Sequence, residues 1–229
     1  MRKTGSHLPR RGFLGAMALG TSLFTTRGLL AEMLTATAPQ TEGPFYPDRL
    51  PLDTDNDLLV VNDGVTPAVG EITHLTGRVL SAAGEPIRNA VVEIWQADSQ
   101  GIYAHSRCPN TDERDKNFQG FGRFLTDSSG QYYFRTIRPV SYMAGVAGAQ
   151  RTPHIHFIVE RSSQRLLTTQ MYIADHPLNE QDFIFRSIKG AEAKQSVLVP
   201  FEPVPGSKIG EQTANFDIVL GTTPEDPES

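Results

Sequence analysis

The sequence contains a single cysteine, Cys108, among its 229 residues. A disulfide within the chain is therefore excluded, and so is any metal site that depends on a pair of cysteines. Long apolar runs are also scarce. The stretch from Gly12 to Phe24 is interrupted by glycines and falls well short of the about 20 apolar residues that cross a membrane. We therefore expect no stable membrane span.

Clusters of basic residues are lacking beyond the N-terminus. The chain has 21 Lys and Arg residues against 26 Asp and Glu, and five of the basic residues but only one of the acidic residues lie within residues 1–38. Residues 39–229 therefore carry 16 basic against 25 acidic residues, a net charge of about −9. An acidic chain without a basic patch is not expected to bind nucleic acid.

The basic N-terminus has a different explanation. The run from Pro9 to Leu14 contains Arg10 and Arg11 before an apolar stretch, and this order resembles a twin-arginine export signal. We therefore interpret residues 1–38 as an export signal that sends the protein to the periplasm or the cell exterior. The small residues at 36–38 offer a cleavage site, although Pro39 follows it awkwardly.

The remaining chain reads as one all-β domain. Its 16 prolines and 20 glycines favour many turns over long helices. Residues 39–72 are rich in proline and aspartate and predict an irregular N-terminal arm, whereas residues 73–229 contain short β-branched and aromatic runs between turns. That pattern predicts an antiparallel β-sandwich with long loops and one or two short helices, the helical part falling within residues 183–196. The predicted strands cover 75–80, 90–95, 131–135, 155–159, 166–173 and 215–220.

A pair of histidines, His154 and His156, lies within one of the predicted strands. Because side chains alternate along a strand, both imidazoles project from the same face and can form half of a metal site. The pattern is short, and two hydrogen-bonded strand histidines would produce it equally well. No carboxylate lies near the pair at a metal-site spacing, so Tyr103 and Tyr142, in predicted loops, are candidates for the other half.

Tyrosine ligands would select a strong Lewis acid. A free phenol has a pKa near 10 and is neutral at pH 7, but a bound ferric ion can deprotonate it. Two phenolates and one hydroxide balance the three charges of Fe(III), while two histidines add none. Zinc or copper in the same site is the alternative, and two hard phenolates disfavour both.

Many short segments of the chain resemble the intradiol ring-cleavage dioxygenases, which split catechols between their two hydroxylated carbons. The resemblance covers roughly residues 41–221. The matching segments are Leu75-x-Gly77-x-Val79, Gly84-x-Pro86-Ile87, Glu93-Ile94-Trp95-Gln96-Ala97, Gly101-x-Tyr103-x-His105, Asn117-Phe118, Gly122-Arg123, Thr126-Asp127, Phe134-Arg135-Thr136-Ile137, Arg151-x-x-His154-Ile155-His156-Phe157 and Thr169-Gln170-Met171-Tyr172.

The resemblance implies a non-haem ferric enzyme with one Fe(III) per chain, a catechol and O2 as substrates, and a cis,cis-muconate-type dicarboxylic acid as product. The implied iron ligands are Tyr103, Tyr142, His154 and His156. Tyr142 would leave the iron when substrate arrives, and Arg151 would stabilise negative charge on the substrate ring. Gln170 would be a hydrogen-bonding partner behind the site and Tyr172 a pocket wall. A homo-oligomer is compatible with the sequence, which leaves the oligomeric state open.

Two features limit what the resemblance implies. Met143 and Ala144 follow Tyr142 where protocatechuate-cleaving members usually have a proline and an aromatic residue, so we expect a wider pocket and disfavour protocatechuate as substrate. The glycine and proline pattern of residues 77–92 is also common in transthyretin-like sandwiches, which makes a non-catalytic binding module the alternative. His105, two residues after Tyr103, matches a family position that is not a ligand, and we assign it a structural role.

Overall fold

The structure, a computed structural model, describes residues 33–62, 64–144 and 148–221. The predicted export signal falls mainly on residues 1–32 and so lies largely outside the described residues. The described residues belong to one compact unit, which contains every strand found among them. None of the helices in the described ranges is both long and apolar enough to cross a membrane.

The described chain is built from twelve strands and two short α-helices. The strands are β1 (Ile72–Ser81), β2 (Val91–Trp95), β3 (Phe121–Leu125), β4 (Gln131–Ile137), β5 (Tyr142–Met143), β6 (Gln150–Arg151), β7 (His154–Arg161), β8 (Gln164–Ile173), β9 (Leu198–Val199), β10 (Phe201–Pro203), β11 (Gln212–Asn215) and β12 (Ile218–Leu220). The helices are α1 (Phe183–Ser187) and α2 (Ala191–Gln195), and they confirm the prediction of short helical segments within 183–196.

Two five-stranded sheets form the sandwich. The first sheet has the order β10-β11-β1-β12 with β4 paired to β1, and the second has the order β3-β2-β7-β8-β9. A third, two-stranded sheet pairs β5 with β6. The all-β sandwich is therefore confirmed, but the pairing is mixed, because β1 runs parallel to β11 and β12 and β8 runs parallel to β9.

The core between the two sheets is apolar. β7 contributes Ile155, Phe157 and Val159 to it, and β2 contributes Val92 and Ile94. Alternate residues of these strands enter the core because successive side chains point to opposite faces of a sheet. The intervening residues, including His154 and His156, therefore lie on the outer face of the second sheet. The sandwich thus places the histidine pair outside its main core.

The predicted strand at 215–220 is divided in the structure. β11 ends at Asn215 and β12 begins at Ile218, with Phe216 and Asp217 between them. The carbonyl of Phe216 accepts a hydrogen bond from the buried Tyr132 hydroxyl, and the Asp217 side chain accepts one from the Arg78 amide. These contacts with β4 and β1 redirect the chain, which the local β propensity alone did not predict.

Residues 33–71 contain no helix or strand in the part that the structure describes, only an isolated bridge at Asp57. The N-terminal end of this segment is nevertheless docked. The Thr37 amide donates to the Val219 carbonyl, the Val219 amide donates back to the Thr37 hydroxyl, and Ala38 is buried beside Tyr172. The arm therefore packs on the strands without forming one.

Candidate metal centre

The two histidines and Tyr103 converge on one point on the outer face of the second sheet. His154 and His156 alternate with core residues along β7, and both are almost completely buried. Their Nε2 atoms are 3.2 Å apart, and the Tyr103 hydroxyl is 3.2 Å from Nε2 of His154. Two donor atoms that each lie about 2 Å from a common ion are separated by roughly 3 Å, so this spacing suits ligands of one metal.

Tyr142 reaches the same point from the small sheet formed by β5 and β6. It was expected in a loop, but it lies in β5, where its register partner is Arg151. Its ring is 5.3 Å from that of Tyr103 and 5.6 Å from that of His154, centroid to centroid. Gly101 makes this approach possible: its φ is +84°, and a Cβ there would lie 2.8 Å from Cβ of Tyr142.

The imidazoles are neutral at physiological pH. Burial, followed by the nearby Arg151 guanidinium, lowers the pKa of His154 to about 3. Burial and the neighbouring His154 lower the pKa of His156 well below its ordinary value. Nδ1 of His154 is 2.6 Å from the Thr152 carbonyl and must donate to it, which leaves a lone pair on Nε2 pointing into the cluster. A neutral imidazole with a free Nε2 lone pair is the form that binds metals.

Burial also raises the pKa of both Tyr103 and Tyr142. For Tyr142, the positive charge of Arg151 opposes this effect but does not overcome it. The metal-free site therefore holds two neutral phenols and two neutral imidazoles. Only a strongly polarising cation would convert the phenols into anionic ligands.

The donor set fits ferric iron better than the common alternatives. No group of three or more His, Cys, Asp or Glu residues suited to a metal occurs within residues 33–62, 64–144 and 148–221, so a metal here depends on the tyrosines. Nδ1 of His156 is a buried polar atom without a hydrogen-bond partner in the described chain, whereas its Nε2 faces the cluster. Two phenolates and two imidazoles could hold Fe(III), and one hydroxide would complete the balance of its three charges.

Arg151 borders the cluster, and polar partners fix its guanidinium. Nη2 donates to Oε1 of Gln170 over 2.7 Å, Nε donates to Oδ2 of Asp182 over 2.7 Å, and Nη1 is 3.5 Å from the Tyr142 hydroxyl. Burial alone would raise the pKa of Asp182, but the Arg151 charge and several hydrogen bonds lower it. The result is a buried ion pair beside the donor cluster.

Gln170 and Tyr172 lie on β8 opposite the two histidines. Gln170 pairs in register with His156, and Tyr172 with His154. The Tyr172 hydroxyl donates to Oε1 of Gln170 over 3.1 Å and approaches Oε1 of Gln40 at 2.5 Å. Every residue predicted for the site is therefore brought together: four donors, Arg151, and the Gln170–Tyr172 pair behind them.

The N-terminal arm covers the site. Phe45 stacks on Tyr103 with ring centroids 5.2 Å apart, and Tyr46 packs edge-on against Trp95 at 5.1 Å. Gly43 has a φ of +76°, and a Cβ there would lie 3.5 Å from Cε1 of His156. Trp95 in turn stacks flat on His156, at 4.6 Å. This cover excludes water from a sheet face that would otherwise be exposed.

His105 and Cys108 lie beside the cluster without entering it. Nδ1 of His105 accepts a hydrogen bond from the Arg107 amide, and its ring packs edge-on against Phe45. The Cys108 sulfur accepts one from the Tyr103 amide, and burial raises the pKa of this thiol. Neither side chain contributes a donor atom to the cluster, and both contacts hold the chain around Tyr103.

Sequence reasoning missed Asp182, Gln40 and Phe45. Asp182 precedes a helix by one residue, which signals an N-cap and gives no hint of Arg151 31 positions earlier. Gln40 and Phe45 lie in an arm without regular structure, and their roles come from docking, of Gln40 on β8 and of Phe45 on Tyr103 and His105. A local pattern does not reveal such contacts.

Comparisons with known proteins agree with this geometry. A family model described as "Dioxygenase" matches residues 41–222. The chain is 38% identical over 177 residues to the protocatechuate 3,4-dioxygenase beta chain of Burkholderia cepacia, covering 76% of this chain and 73% of that one. It is 32% identical over 167 residues to catechol 1,2-dioxygenase of Acinetobacter baylyi, covering 68% of this chain. The chain spans about half of that relative's length, 52%.

Solved structures show the same similarity. A catechol 1,2-dioxygenase structure from an Acinetobacter species superimposes with a TM-score of 0.63 at 26% identity, covering 84% of this chain and 67% of that one. The dioxygenase domain of a carbohydrate-binding fusion protein from a Streptomyces species gives a TM-score of 0.59 at 25% identity, covering 82% of this chain and all of that domain. These relatives are catalytic, which favours an enzyme over a non-catalytic binding module.

Proposed function

Because the chain belongs to the intradiol ring-cleavage dioxygenase family, we propose that it cleaves a catechol-type aromatic diol with O2 between the two hydroxylated carbons. Both oxygen atoms enter the product, a cis,cis-muconate-type dicarboxylic acid. The observation that carries this proposal is the convergence of two imidazole nitrogens and the Tyr103 hydroxyl within 3.2 Å contacts, with Tyr142 and Arg151 beside them.

One ferric ion per chain, held by Tyr103, Tyr142, His154 and His156, would supply Lewis acidity and a template for both oxygens of the diol. Tyr103 is fully buried and would be a permanent ligand. Tyr142 is half-buried and stands on a two-residue strand, which makes it the ligand better able to move. Because burial raises its pKa, a displaced Tyr142 phenolate would take a proton from a substrate hydroxyl.

Arg151 would stabilise the transition state. Ring cleavage requires electron density to move from the diol oxygens onto the ring carbons, and a fixed positive charge there lowers the barrier. The hydrogen bonds to Gln170 and Asp182 hold the guanidinium in one orientation, so little reorganisation is needed when charge develops. The aromatic cover from Phe45 and Trp95 excludes water, which strengthens this electrostatic effect.

The substrate remains a proposal within the catechol class. The relatives are named for protocatechuate and catechol. Met143 is exposed and follows Tyr142 without the usual aromatic residue. This supports a wider entrance and disfavours protocatechuate.

Oxygen uptake with catechol, protocatechuate and hydroxyquinol would test the activity, with product spectra to separate intradiol from extradiol cleavage. The purified protein should be wine-red from tyrosinate-to-iron charge transfer and give a high-spin ferric paramagnetic resonance signal. Tyr142→Phe should shift or weaken the colour. Tyr133→Phe is the control and should leave the colour unchanged, because Tyr133 lies in the other sheet and its hydroxyl hydrogen-bonds to His74. A protein that stays colourless after iron loading, or that contains stoichiometric zinc or copper, would contradict the proposal.

We also propose that the protein is exported through the twin-arginine signal at Arg10 and Arg11. The Leu34 amide donates to the Ala82 carbonyl and Thr37 bonds to Val219, so a cut after Ala38 would remove part of the packed arm, which argues for cleavage before Leu34. Fractionation of cells that express the full chain, with Arg10→Lys and Arg11→Lys together as the control, would test export. N-terminal sequencing of the exported form would locate the cut.

A further inference from the structure

Asp182 is a completely buried carboxylate at the start of α1, and both of its oxygens have two donors. Oδ1 accepts from the amides of Ile184 and Phe185, at 2.9 and 3.0 Å, and so caps the helix. Oδ2 accepts from Nε of Arg151 at 2.7 Å and from the amide of Thr152 at 3.0 Å. One side chain therefore joins the start of a helix to the chain segment that carries Arg151.

The contacts of Arg151 show what Asp182 contributes. A guanidinium is planar, and two acceptors on different edges fix the orientation of the plane. Asp182 occupies the Nε edge and Gln170 receives Nη2, so that Nη1 is directed toward the Tyr142 hydroxyl. The Phe183 ring lies 5.5 Å from Cζ and packs against one face. Without Asp182, the guanidinium would keep only Gln170 as a strong acceptor and could rotate.

Asp182 also acts on the backbone that leads into β7. Its bond to the Thr152 amide fixes the residue whose carbonyl accepts from Nδ1 of His154. The Thr152 hydroxyl in turn donates to Oδ1 of Asn179, at 2.7 Å. A single carboxylate thus holds the guanidinium and the turn that sets the tautomer of a candidate ligand.

We propose that Asp182 is a positioning residue for ring cleavage, which acts through Arg151 by fixing the plane of its guanidinium. The inference rests on the proposed function. The competing explanation is that Asp182 only caps α1 and stabilises the fold. Asp182→Asn separates the two roles, because asparagine caps helices about as well as aspartate but carries no charge to pair with Arg151.

The first test is a double-mutant cycle on kcat with Asp182→Asn and Arg151→Gln. We expect Asp182→Asn alone to lower kcat about 10- to 100-fold with KM changed less than threefold, the size typical of a misplaced catalytic group. In the Arg151→Gln background the same change should lower kcat less than about twofold, because the group it positions is gone. Equal factors in the two backgrounds would overturn the proposal.

A matched control is Glu93→Gln. Glu93 is also a buried carboxylate of this domain paired with an arginine, but its partner is Arg123 and it makes no contact with Arg151. Its effect on kcat should be the same factor with and without Arg151→Gln. If a buried carboxylate only stabilises the fold, its removal lowers kcat by the same factor in both backgrounds. The control therefore shows the result expected for Asp182→Asn if Asp182 has no role beyond the fold.

The second test needs no iron and no substrate. In metal-free protein labelled with 15N-arginine, the Nε–H resonance of Arg151, identified by its absence in Arg151→Gln, should exchange slowly with water. Asp182→Asn should accelerate that exchange at least about tenfold, as expected when a protecting hydrogen bond is lost. Unchanged exchange would overturn the proposal. If the wild-type protein consumes no O2 with any diol, the proposed function fails, and this measurement still decides whether Asp182 fixes Arg151.

Discussion

One face of β7 packs Ile155, Phe157 and Val159 into the core between the sheets, whereas the other presents His154 and His156 to the donor cluster under the N-terminal arm. The inner face is apolar and meets another sheet. The outer face is polar and is covered by an arm without regular structure. Both faces are buried, although the partners that bury them differ in kind.

The difference separates stability from chemistry along a single strand. Apolar burial on the inner face supplies the free energy that folds the sandwich. On the outer face, burial lowers the pKa of the imidazoles and raises the pKa of the phenols. Burial of the imidazoles therefore destabilises the folded metal-free protein at acidic pH. It also keeps them in the neutral form that can bind a metal. Changes on the inner face should therefore reduce stability first, and changes on the outer face should reduce function first.

The largest effect that would sharpen this comparison is expected for His154→Ala on the outer face. Loss of a direct ligand should lower iron content and activity by more than about 100-fold, because mutating a residue that only hydrogen-bonds to a ligand already lowers them by up to that factor. The free energy of unfolding of the metal-free protein should fall by about 1–3 kcal/mol, because the buried ring packs on Tyr142 and Tyr172 outside the core between the sheets. Metal analysis and urea titration measure both, with His74→Ala of the other sheet as control. Retention of stoichiometric iron would remove His154 from the ligand set.

Phe157→Ala is the matching change on the inner face. Phe157 is completely buried and packs on Tyr132 and Phe216 of the opposite sheet and its connection. The truncation should lower the free energy of unfolding by about 3–5 kcal/mol, while the folded fraction keeps the iron colour. Urea titration followed by fluorescence measures the loss, and Phe183→Ala, which is half exposed at 52%, is the size-matched control. Loss of colour without loss of stability would break the separation between the two faces.

The inner face could be predicted from the sequence, because alternation is a local property. The runs at 75–80, 90–95 and 155–159 each lie within an observed strand or extend one residue beyond it. The parallel pairing of β1 with β11 and β12 could not be predicted, because it depends on how the C-terminal segment returns to β1. The break at Phe216 and Asp217 has the same origin, since its hydrogen bonds come from Tyr132 and Arg78.

The candidate site shows the same division. Tyr103, Tyr142, His154 and His156 were named from spacing, charge balance and resemblance, and the structure brings them together. Their role as iron ligands stays a prediction. The groups that fix and cover them were missed, because Asp182 reaches Arg151 across 31 residues and the arm reaches β8 across more than 120. Such contacts arise from topology, which a single sequence carries only weakly.

The pH dependence of stability should also distinguish the two faces. The pKa of His154 is lowered to about 3 in the folded protein and that of His156 is lowered too, while an unfolded histidine titrates near 6.5. Below pH 6.5 the unfolded chain therefore binds more protons, and stability falls as the pH falls. Between pH 7 and 5.5 the metal-free protein should lose about 2 kcal/mol, roughly half from each histidine.

Urea titrations of metal-free protein at these two pH values measure the loss. Phe157→Ala should show the same pH dependence from a lower starting stability, because it leaves both histidines in place. His156→Gln should halve the pH dependence. A wild-type protein whose stability does not change over this range would mean that the outer face is open to water and that the arm does not seal it.

The smallest expected effect concerns how the cover itself is held. The Tyr46 hydroxyl donates to Oε2 of the buried Glu93 over 3.0 Å, and burial and the Glu93 charge raise the pKa of Tyr46 to about 12. Glu93 keeps Arg123 as a second partner, so Tyr46→Phe removes one hydrogen bond without leaving a bare charge. We expect a loss of about 1–2 kcal/mol, confined to the arm. Hydrogen exchange should then become faster at the amides of Thr37 and Gln40, which bond to Val219 and Thr168, and stay unchanged in the centre of β7. If β7 exchanged faster as well, the arm and the sandwich would unfold as one unit, and the two faces of the strand would share a single source of stability.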